Sequence, residues 1–446
     1  MGKHLFGTDG IRGIPGEYPL DDATLLRVGW ALGRHLSESP RARVLIGRDT
    51  RESGPHIARQ IASGLAAAGV EPVSAGVLPT PGVAWLVHRE GFSAGVVISA
   101  SHNPYHDNGV KLISSSGMKF PDAIEAELER VILSPHPAGN IPQVQLSDGN
   151  QTLHEDYLAG LRSAALPGAK LAGLKMVLDC ANGAASGLAP ELFRSLGAHV
   201  VAINNSPDGR NINKDCGSLH PELMQERVVK EHAALGVAFD GDADRAIFSD
   251  AAGRVVNGDG VLLAAGRYLQ SAGKLRGGAI VGTTMSNLGL ERALEKSGLR
   301  LIRTDVGDRY VLEQMLRMGA NLGGEQSGHI LFLDDATTGD GMLTAIKIAS
   351  LVSICGSLET LIRDLKEFPQ KIVNIRVRSK QPFENLPAVS SALKEAEKAL
   401  GHSGRVVLRY SGTEPLARVM VEAEREPDVE RWTNLIAAAV KSQIGA

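Results

Sequence analysis

The sequence has few cysteines and few aromatic residues, and both shortages exclude classes of protein. Its three cysteines, Cys180, Cys216 and Cys355, lie far apart and form no CxxC pair. An odd, sparse set of this kind argues against a disulfide framework and against a zinc site, and it favours a reducing compartment. Aromatic residues make up only 4% of the chain, so stacking platforms for single-stranded nucleic acid are not expected.

The chain also lacks an excess of charge of either sign, and it lacks long hydrophobic runs. Forty-seven Lys and Arg residues face 50 Asp and Glu, for a net charge of −3, which excludes a generally basic nucleic-acid binder but allows a local cationic pocket. The most apolar helix-like run, Ala345–Cys355, contains Lys347 and is too short to span a bilayer. Residues 1–10 contain no apolar segment typical of a secretion signal. We therefore expect a cytoplasmic protein with no membrane partner and no nucleic-acid partner.

Glycine, in contrast, is abundant. It accounts for 51 of 446 residues, above the usual share of about 7%. No G-X-Y period accompanies it, so a collagen-like helix is excluded. At roughly 150 residues per domain, the length alone predicts about three domains.

Three segments of the chain repeat one pattern: an apolar strand, a glycine-containing loop, a helix ended by glycine, and a second strand. They run from Val44 to Val77, from Met176 to Ile203 and from Ala279 to Arg303, and the first is followed by a predicted turn at Pro79–Gly82. The glycines behind the helices suit the left-handed position that closes a helix. Short apolar strands alternating with helices predict βαβ units and parallel pairing. A further strand follows each unit, and its polar loop lies where α/β sheets hold their ligands.

The last part of the chain, after Pro369, breaks this pattern. Three strands and two helices are predicted there: Ile372–Val377, Leu386–Leu400, Val406–Tyr410, Ala417–Ala423 and Val429–Ile444. Such an element order is typical of a small α+β domain. We therefore predict four domains, which span residues 1–155, 156–255, 256–368 and 369–446.

The aspartate loop, Asp240–Arg245, places three carboxylates at alternate positions directly after an apolar strand. Such carboxylates repel one another unless a cation lies between them, and hard oxygen ligands suit Mg²⁺ or Ca²⁺. An EF-hand is excluded, because Arg245 and Ala251 stand where that motif needs Gly and Glu. A phosphatase loop of the haloacid-dehalogenase type is an alternative that Asp244 weakens. A solvated acidic turn is the structural alternative.

The serine loop, Ile98–Pro104, carries two serines and a histidine at the end of an apolar strand. A serine needs activation to act as a nucleophile, and Lys111 could bring positive charge to the same loop. The nearby GxSxG match at Gly91–Gly95 precedes its strand, so it is a poor nucleophile elbow. A helix cap is the structural alternative for the serine loop.

Two further polar loops offer groups for a phosphorylated sugar. The glutamate loop, Gly323–His329, combines glycines that allow close approach with Glu, Gln and Ser side chains that match hydroxyls. The arginine loop, Arg409–Pro415, with Arg418 behind it, combines arginine forks, hydroxyls and backbone N–H groups, which suit a phosphate. Phe6–Gly13 and Gly47–Asp49 add arginine-containing glycine loops. Exposed polar turns are the structural alternative, but together these loops favour metal-assisted handling of a sugar phosphate.

In this order, and over the whole chain, the loops resemble the signature loops of the α-D-phosphohexomutases. The four that carry the resemblance are Ile98–Pro104, Asp240–Arg245, Glu325–His329 and Arg409–Pro415. Within that family, Phe6–Gly13 and the Gln326 position resemble the branch that acts on glucosamine phosphates. The resemblance implies a heart-shaped fold of three related α/β domains with mixed sheets and a TBP-like C-terminal α+β domain. It also implies a cytoplasmic isomerase that interconverts glucosamine 6-phosphate and glucosamine 1-phosphate, upstream of UDP-N-acetylglucosamine and peptidoglycan precursors.

The resemblance further implies the roles of individual residues. Ser101 would carry the phosphoryl group and, with Asp240, Asp242 and Asp244, bind one Mg²⁺ per chain. A glucosamine 1,6-bisphosphate would form as the intermediate and turn over in the site. A homodimer is a family expectation.

Substrate contacts follow from the same resemblance. Glu325 and Ser327 would hold sugar hydroxyls. The groups expected to hold the phosphate that does not react are Arg409, Ser411, Gly412, Thr413 and Arg418. Lys111 and His329 are both candidates for the base that the sugar hydroxyl needs, and Arg12 and Arg245 are candidates for stabilising the charge in transfer.

Three alternatives stay open at this point. A phosphomannomutase or phosphoglucomutase would carry the same loops with another sugar preference. A Mg²⁺-dependent sugar phosphatase would release phosphate through a phospho-aspartate. A non-enzymatic sugar-phosphate sensor would need no nucleophile, and the presence of Ser101 beside three aspartates argues against it.

Overall fold

In a computed structural model of the chain, the residues described are 5–7, 9–37, 41–134, 142–411 and 415–446. The chain divides into two compact units, one of residues 1–283 and 304–362 and the other of residues 284–303 and 363–446. Among the residues described, no helix is both long enough and apolar enough to span a bilayer.

The first unit begins with a five-stranded mixed sheet and its helices. In chain order the elements are β1 (Ile11–Gly13), α1 (Asp22–Leu36), β2 (Arg43–Arg48), α2 (Gly54–Ala67), β3 (Glu71–Val77), α3 (Thr80–Arg89), β4 (Ala94–Ile98), β5 (Asn108–Ser114) and α4 (Asp122–Ile132). The strand order is β1-β5-β4-β2-β3. Strand β2 pairs in parallel with β3 and β4, whereas β4–β5 and β5–β1 are antiparallel.

A second sheet with the same strand order follows. Its elements are α5 (Gln151–Ser163), β6 (Lys175–Asp179), α6 (Ala185–Ser195), β7 (His199–Ile203), α7 (Glu222–Lys230), β8 (Leu235–Phe239), β9 (Ala246–Ser249) and β10 (Val255–Val256). The order β10-β9-β8-β6-β7 matches the first sheet strand for strand, with β6–β7 and β6–β8 parallel and β8–β9 and β9–β10 antiparallel. The predicted parallel pairing is therefore confirmed at the sheet centres, and antiparallel strands extend both sheets.

The third repeat contains α8 (Gly258–Ser271), β11 (Ile280–Thr283), α9 (Leu288–Lys296), β12 (Leu301–Thr304), α10 (Asp308–Met318), β13 (Leu322–Gly324), β14 (Ile330–Phe332), α11 (Gly341–Cys355) and α12 (Leu358–Ile362). Within the first unit, β11 pairs in parallel with β13, and β13 pairs antiparallel with β14. Helix α11 is buried without interruption from Gly341 to Val352. The apolar run that begins at Ala345 is thus the middle of a core helix, which contacts α5, β8 and β9.

The second unit contains a three-stranded antiparallel sheet covered by two helices. Its C-terminal elements are β15 (Gln370–Arg376), α13 (Pro387–Leu400), β16 (Gly404–Tyr410), β17 (Leu416–Ala423) and α14 (Glu426–Ile444), in the strand order β15-β17-β16. Helix α9 belongs to this unit because the fully buried Glu422 accepts the N–H of Leu288 at 2.7 Å and pairs with Arg405 at 2.7 Å. Three related α/β domains and a C-terminal α+β domain, as predicted, are confirmed.

Local chemistry explains where these elements end. Gly69, Gly197 and Gly298, which follow the repeated helices, have φ values of +80°, +85° and +69°, so the predicted left-handed positions are confirmed. The prediction of a turn at Pro79–Gly82 was wrong, because helix α3 begins at Thr80 with Pro81 in its first turn. Proline is favoured there, since the N–H that it lacks has no helical partner at that position.

Two glycines allow helices α1 and α2 to touch backbone to backbone. A Cβ on Gly64 would lie 2.1 Å from the carbonyl oxygen of Leu26 and 3.0 Å from the Cα of Gly29, and one on Gly29 would lie 2.0 Å from the carbonyl oxygen of Ile61. These separations are far below van der Waals contact, so the helices must separate to accept any side chain.

We expect Gly64→Ala to lower the free energy of unfolding by about 1–3 kcal/mol, the usual cost of overpacking a tight interface. Gly187 is a matched control, because it lies in helix α6 and a Cβ there would have no atom within 4 Å. Gly187→Ala should stabilise the protein by up to about 1 kcal/mol through helix propensity. Urea unfolding of both variants measures the difference, and equal stability of the two would contradict the close contact.

Candidate active site

The serine, aspartate and glutamate loops occupy one equivalent position in the three repeats. Each connects a central parallel strand to its antiparallel neighbour: β4 to β5, β8 to β9, and β13 to β14. Because the repeats share a strand order, their loops fall at the carboxyl ends of corresponding strands, where α/β sheets hold ligands.

Ser101 is buried in the serine loop and faces the aspartate loop. Its Oγ donates a hydrogen bond to Oδ2 of Asp240 at 2.6 Å, and its side chain is 2% exposed. Its backbone has φ of +50°, in the left-handed region that a non-glycine residue seldom adopts. His102 lies beside it, with Nδ1 3.4 Å from the serine Oγ. Burial, with Arg245 and Arg12 nearby, lowers the pKa of His102, which keeps the ring neutral.

The aspartate loop brings three buried carboxylates together. Oxygens of Asp240, Asp242 and Asp244 lie within 4.8 Å of one another. Burial, together with the charges of the other two carboxylates, raises the pKa of Asp240 well above its usual value. Oδ1 of Asp242 and Oδ1 of Asp244 are buried, and within the described part of the chain neither accepts a hydrogen bond. A cluster of buried oxygens with unused lone pairs fits a hard divalent cation.

Lys111 supplies the nearest positive charge. Its Nζ lies 3.0 Å from Oδ2 of Asp242, 3.6 Å from Oδ2 of Asp244 and 3.0 Å from Oδ2 of Asp9. Burial opposes the charge of Lys111, but these carboxylates outweigh it and raise the pKa of the amine well above its usual value. Lys111 is therefore an ammonium ion at neutral pH. Burial of Asp244 is likewise outweighed by Lys111, which lowers the pKa of that carboxyl group.

Thr80, at the start of helix α3, fixes the middle aspartate of the loop. Its Oγ1 donates to Oδ2 of Asp242 at 2.5 Å, and its N–H donates to the carbonyl oxygen of Asp242 at 3.0 Å. Both Thr80 and Lys111 thus use the same carboxylate oxygen and leave Oδ1 available. Thr80 was not predicted as a site residue, because its Pro-Thr-Pro-Gly segment is typical of a turn.

Arg12 and Arg245 border the same cluster. Arg12 pairs with Asp9 at 2.8 Å and is about one-third exposed, with 31% of its side-chain surface accessible. Nε of Arg245 lies 3.7 Å from Oδ1 of Asp244. The backbone N–H of Arg245 donates to Oδ1 of Asp240 at 3.1 Å. Burial of Arg245 is outweighed by Asp244 and Asp240, which raise its pKa. Both guanidinium groups are partly accessible, at 31% for Arg12 and 24% for Arg245.

His329 lies between two carboxylates. Its Nδ1 is 3.7 Å from Oδ1 of Asp244, and its Nε2 is 3.9 Å from Oδ2 of Asp308. Burial alone would lower the pKa of His329, but Asp244, Asp308 and Glu325 raise it. The imidazole is therefore biased toward its protonated form.

The glutamate loop is tied to the second sheet by a glycine. Gly328 has φ of +92°, and a Cβ there would lie 2.4 Å from the carbonyl oxygen of Ala246. The N–H of Ala246, the first residue of β9, donates to the carbonyl oxygen of Gly328 at 3.1 Å. Oε1 of Glu325 accepts the N–H of Gly307 at 2.9 Å, and Ser327 is exposed. The loop therefore lies against the end of the strand that follows the aspartate loop.

Three charged residues that the sequence analysis did not single out complete the charge network. Nζ of Lys119 lies 2.6 Å from Oδ1 of Asp9 and 2.6 Å from Oδ2 of Asp308. Burial of Lys119 is outweighed by Asp308 and Asp9, which raise its pKa. Asp9 stood in a glycine loop noted for its arginine, but no local pattern marked Lys119 or Asp308. A pocket of about 190 Å³ adjoins this network, with Lys119, Asp244, Asp308 and His329 in its wall.

The arginine loop lies in the second unit. Arg409 on β16 and Arg418 on β17 are direct cross-strand partners, so two guanidinium-bearing residues stand at one level of the sheet. Ser411 is buried, and its carbonyl oxygen accepts a hydrogen bond from Nζ of Lys380 at 2.6 Å, a residue that the sequence did not indicate. Gly412 and Thr413, two predicted phosphate ligands, lie outside the described residues.

Four family models match the chain in order. They are the phosphoglucomutase/phosphomannomutase alpha/beta/alpha domain I over residues 3–137, domain II over 155–253, domain III over 257–368, and the C-terminal domain over 372–439.

Curated relatives of similar length match the whole chain. The phosphoglucosamine mutase of Solibacter usitatus is 51% identical, with 100% of both chains covered. The phosphoglucosamine mutase of Koribacter versatilis is also 51% identical, with 99% of this chain and 98% of its own covered.

Solved structures share the fold at lower identity. A phosphoglucomutase/phosphomannomutase family protein of Burkholderia thailandensis is 24% identical with a TM-score of 0.81, covering 98% of this chain and 97% of that one. The N-acetylphosphoglucosamine mutase of Aspergillus fumigatus, solved with GlcNAc-6P and magnesium, is 18% identical with a TM-score of 0.72, covering 99% and 96%.

We expect the aspartate loop to bind one divalent cation, and Asp242→Asn to weaken that binding by at least about tenfold, because the charge of the ligand set controls the affinity of such sites. Titration calorimetry with Mg²⁺, and Mn²⁺ electron paramagnetic resonance, measure the dissociation constant. Asp208→Asn, on an exposed loop, is the charge-matched control and should bind as the unmodified protein does. Equal affinity of the two variants would rule out the aspartate loop as the site.

Proposed function

Because the chain belongs to the phosphoglucomutase/phosphomannomutase family of α-D-phosphohexomutases, we propose that it interconverts glucosamine 6-phosphate and glucosamine 1-phosphate. The observation that carries this proposal is 51% identity, over the full length of both chains, to a curated phosphoglucosamine mutase. The protein is an isomerase. Its product, glucosamine 1-phosphate, would be used to make UDP-N-acetylglucosamine for peptidoglycan precursors.

Ser101 is the residue that we assign to phosphoryl transfer. Its buried Oγ, 2.6 Å from Asp240, supports the assignment, since a phosphoryl group there adjoins the carboxylate cluster. The group passes from Oγ to a sugar hydroxyl: the P–Oγ bond breaks, a bond from phosphorus to the sugar oxygen forms, the hydroxyl loses its proton and Oγ takes one up. The product is glucosamine 1,6-bisphosphate, which turns over and returns its other phosphoryl group to Oγ.

Asp240, Asp242 and Asp244 would hold one Mg²⁺ together with the phosphorylated Ser101. The two buried carboxylate oxygens that accept no hydrogen bond within the described part of the chain support this assignment. When bound, Mg²⁺ would offset the negative charge of the phosphoryl group in transfer. Thr80 and Lys111 hold Asp242 in place from the other side.

We assign Lys111 and His329 to proton transfer at the sugar hydroxyl, one of them as the base that the hydroxyl needs. Their place beside the aspartate loop supports this role, since Nζ of Lys111 lies 3.0 Å from Asp242 and Nδ1 of His329 lies 3.7 Å from Asp244. A loose phosphoryl transfer makes little demand on a base and much on charge stabilisation. Arg12 and Arg245 would stabilise the negative charge of the phosphoryl group in transfer, since both guanidinium groups border the aspartate cluster.

The remaining assignments concern the substrate. Glu325 and Ser327 would hold sugar hydroxyls, and the polar groups of the glutamate loop support this role. The arginine loop would bind a phosphate group of the substrate through Arg409, Ser411, Gly412, Thr413 and Arg418. The pairing of Arg409 with Arg418 across β16 and β17 supports it.

The domain boundaries, the cellular compartment and the oligomeric state are also part of the proposal. We place the domain boundaries at 1–155, 156–255, 256–368 and 369–446. We place the protein in the cytoplasm, where its sugar-phosphate substrate is made and where three cysteines without a disulfide pattern stay reduced. We expect a homodimer.

Replacing Ser101 by Ala should reduce turnover to below about one-thousandth of the original rate, because the covalent step is lost while binding persists. A coupled assay that starts from glucosamine 6-phosphate, with and without Mg²⁺, measures it. Ser116→Ala, in an exposed turn of the same domain, is the control and should keep the full rate. Near-normal mutase activity in Ser101→Ala would overturn the proposal, and net phosphate release with label on an aspartate would favour a phosphatase.

The second candidate function is that of a phosphoglucomutase or phosphomannomutase, the two activities that the family description names. We expect kcat/KM for glucosamine phosphate to exceed that for either of the other sugars by at least about 100-fold, because a site built to hold the amino group at C2 loses the contacts specific to that group when a hydroxyl takes its place. Competition between the sugar phosphates in one assay gives the ratio. A ratio in favour of glucose or mannose phosphate would reassign the substrate.

A further inference from the structure

A buried ion pair lies directly behind the serine loop, and the catalytic assignments do not use it. Asp49 and Arg51 follow strand β2, and neither side chain is exposed to solvent. We propose that Arg51, anchored by Asp49, is a positioning residue that holds Ser101 in its strained backbone conformation, so that Oγ faces the aspartate loop. The inference rests on the proposed role of Ser101 and goes beyond it.

Arg51 spreads its guanidinium over the carbonyl groups of the serine loop. Its Nη2 donates to the carbonyl oxygens of Ser101 at 3.0 Å and of Asn103 at 2.9 Å, and its Nη1 donates to that of Pro104 at 2.6 Å. Its Nε donates to Oδ2 of Asp49 at 3.0 Å. One rigid, planar group therefore fixes three carbonyls of a single loop, which a lysine ammonium cannot do because its donors converge on one atom.

Asp49 reaches the same loop by a second route. Its Oδ2 accepts the hydroxyl of Ser99 at 2.6 Å, and the Ser99 Oγ in turn accepts the N–H of Ser101 at 2.9 Å. Ser101 is thus held at its N–H through Ser99 and at its carbonyl oxygen through Arg51. These two contacts bracket the φ and ψ angles that direct its side chain.

Asn213, from the second sheet's domain, binds two of the same carbonyl groups. Its Nδ2 donates to the carbonyl oxygens of Ser101 at 2.9 Å and of Asn103 at 3.0 Å. The loop is therefore gripped by two donors that come from separate parts of the chain. A third close approach is that of Gly241, where a Cβ would lie 2.5 Å from the Ser101 carbonyl oxygen.

The cost of this arrangement points to a role in positioning. A non-glycine residue at φ of +50° persists only where its surroundings determine its conformation, and such residues concentrate at functional sites. A buried ion pair is usually no more stabilising than apolar residues of the same volume. Arg51 and Asp49 therefore contribute geometry: they hold Ser101 Oγ at 2.6 Å from Asp240.

Arg51→Lys tests the inference, because it keeps the charge opposite Asp49 but removes the planar set of donors. The measured rate is that of Ser101 phosphorylation by glucosamine 1,6-bisphosphate, followed by rapid quench and intact mass with Mg²⁺ present. We expect the rate to fall at least about 100-fold, the effect of misplacing a reacting group by about 1 Å. In steady state the loss should appear in kcat, with KM for glucosamine 6-phosphate and the affinity for Mn²⁺ unchanged.

Asn213→Gly is a second variant that does not depend on a buried charge. Asn213 has φ of +57°, so glycine keeps its backbone and removes only the side-chain donor; the rate should fall about tenfold. Asn204→Gly is its matched control, because Asn204 has φ of +47° and donates to Asp179, away from the serine loop. The control should phosphorylate at the unmodified rate.

The outcomes separate this inference from the proposed function. If the unmodified protein is not phosphorylated at Ser101, the proposed function fails. If it is phosphorylated, and folded Arg51→Lys and Asn213→Gly match its rate, the positioning role is overturned. Equal losses in Asn213→Gly and Asn204→Gly, or a change in KM alone, would also overturn it, since both indicate a merely structural effect. If Arg51→Lys does not fold, the comparison of the two asparagine variants decides.

Discussion

The site depends on the repulsion among three buried carboxylates, those of Asp240, Asp242 and Asp244, whose oxygens lie within 4.8 Å of one another. The surrounding chain compensates this repulsion with positive charges. Lys111 offsets part of the negative charge, at 3.0 Å from Asp242, and Arg245 and His329 each lie 3.7 Å from Asp244. Asp9 and Asp308 then balance Lys111, Lys119 and His329. The positive groups therefore come from several distant segments, and their charges depend on one another. The pKa values of two neighbouring carboxyl groups therefore shift in opposite directions: burial and the other two carboxylates raise that of Asp240, whereas Lys111, His329 and Arg245 outweigh burial and lower that of Asp244.

The repeated sheets explain how these segments meet. In the first two domains the strand order is the same, so the serine loop and the aspartate loop leave their sheets at the same corner. The glutamate loop leaves β13 in the corresponding way, and Gly328 fastens it to Ala246, the residue that follows the aspartate loop. The same sheet arrangement therefore presents three different loops, the serine, aspartate and glutamate loops, at corresponding positions. The fourth domain has a different design and carries its polar loop between two antiparallel strands.

The sequence was informative where the signal is local. Apolar strands, glycines at the ends of helices and acidic or glycine-rich loops depend on neighbours in the chain. The predicted helix Leu386–Leu400 and strand Ala417–Ala423 each differ by one residue from the observed Pro387–Leu400 and Leu416–Ala423. Thr80 lies 162 positions from Asp242, and Lys119 lies 189 positions from Asp308. No periodicity links residues so far apart, and a single threonine or lysine has no composition signal. Arg51 lies two residues beyond the noted glycine loop Gly47–Asp49, but its contacts with the serine loop follow from its burial in the fold and not from its residue type.

Helix α11 has a consequence for the order in which the protein matures on the ribosome. Its residues 341–352 are fully enclosed, and it contacts α5, β8 and β9 of the preceding domain. Asp340 at its start accepts the hydroxyl of Tyr157 at 2.8 Å, and Ser350 accepts the N–H of Leu166 at 3.2 Å. The second domain therefore lacks part of its interior until α11 has been synthesised. At about 5–20 residues per second, the apolar surface that α11 covers stays exposed for roughly 5–20 s after β9 is synthesised. A chaperone can bind that exposed surface during this interval.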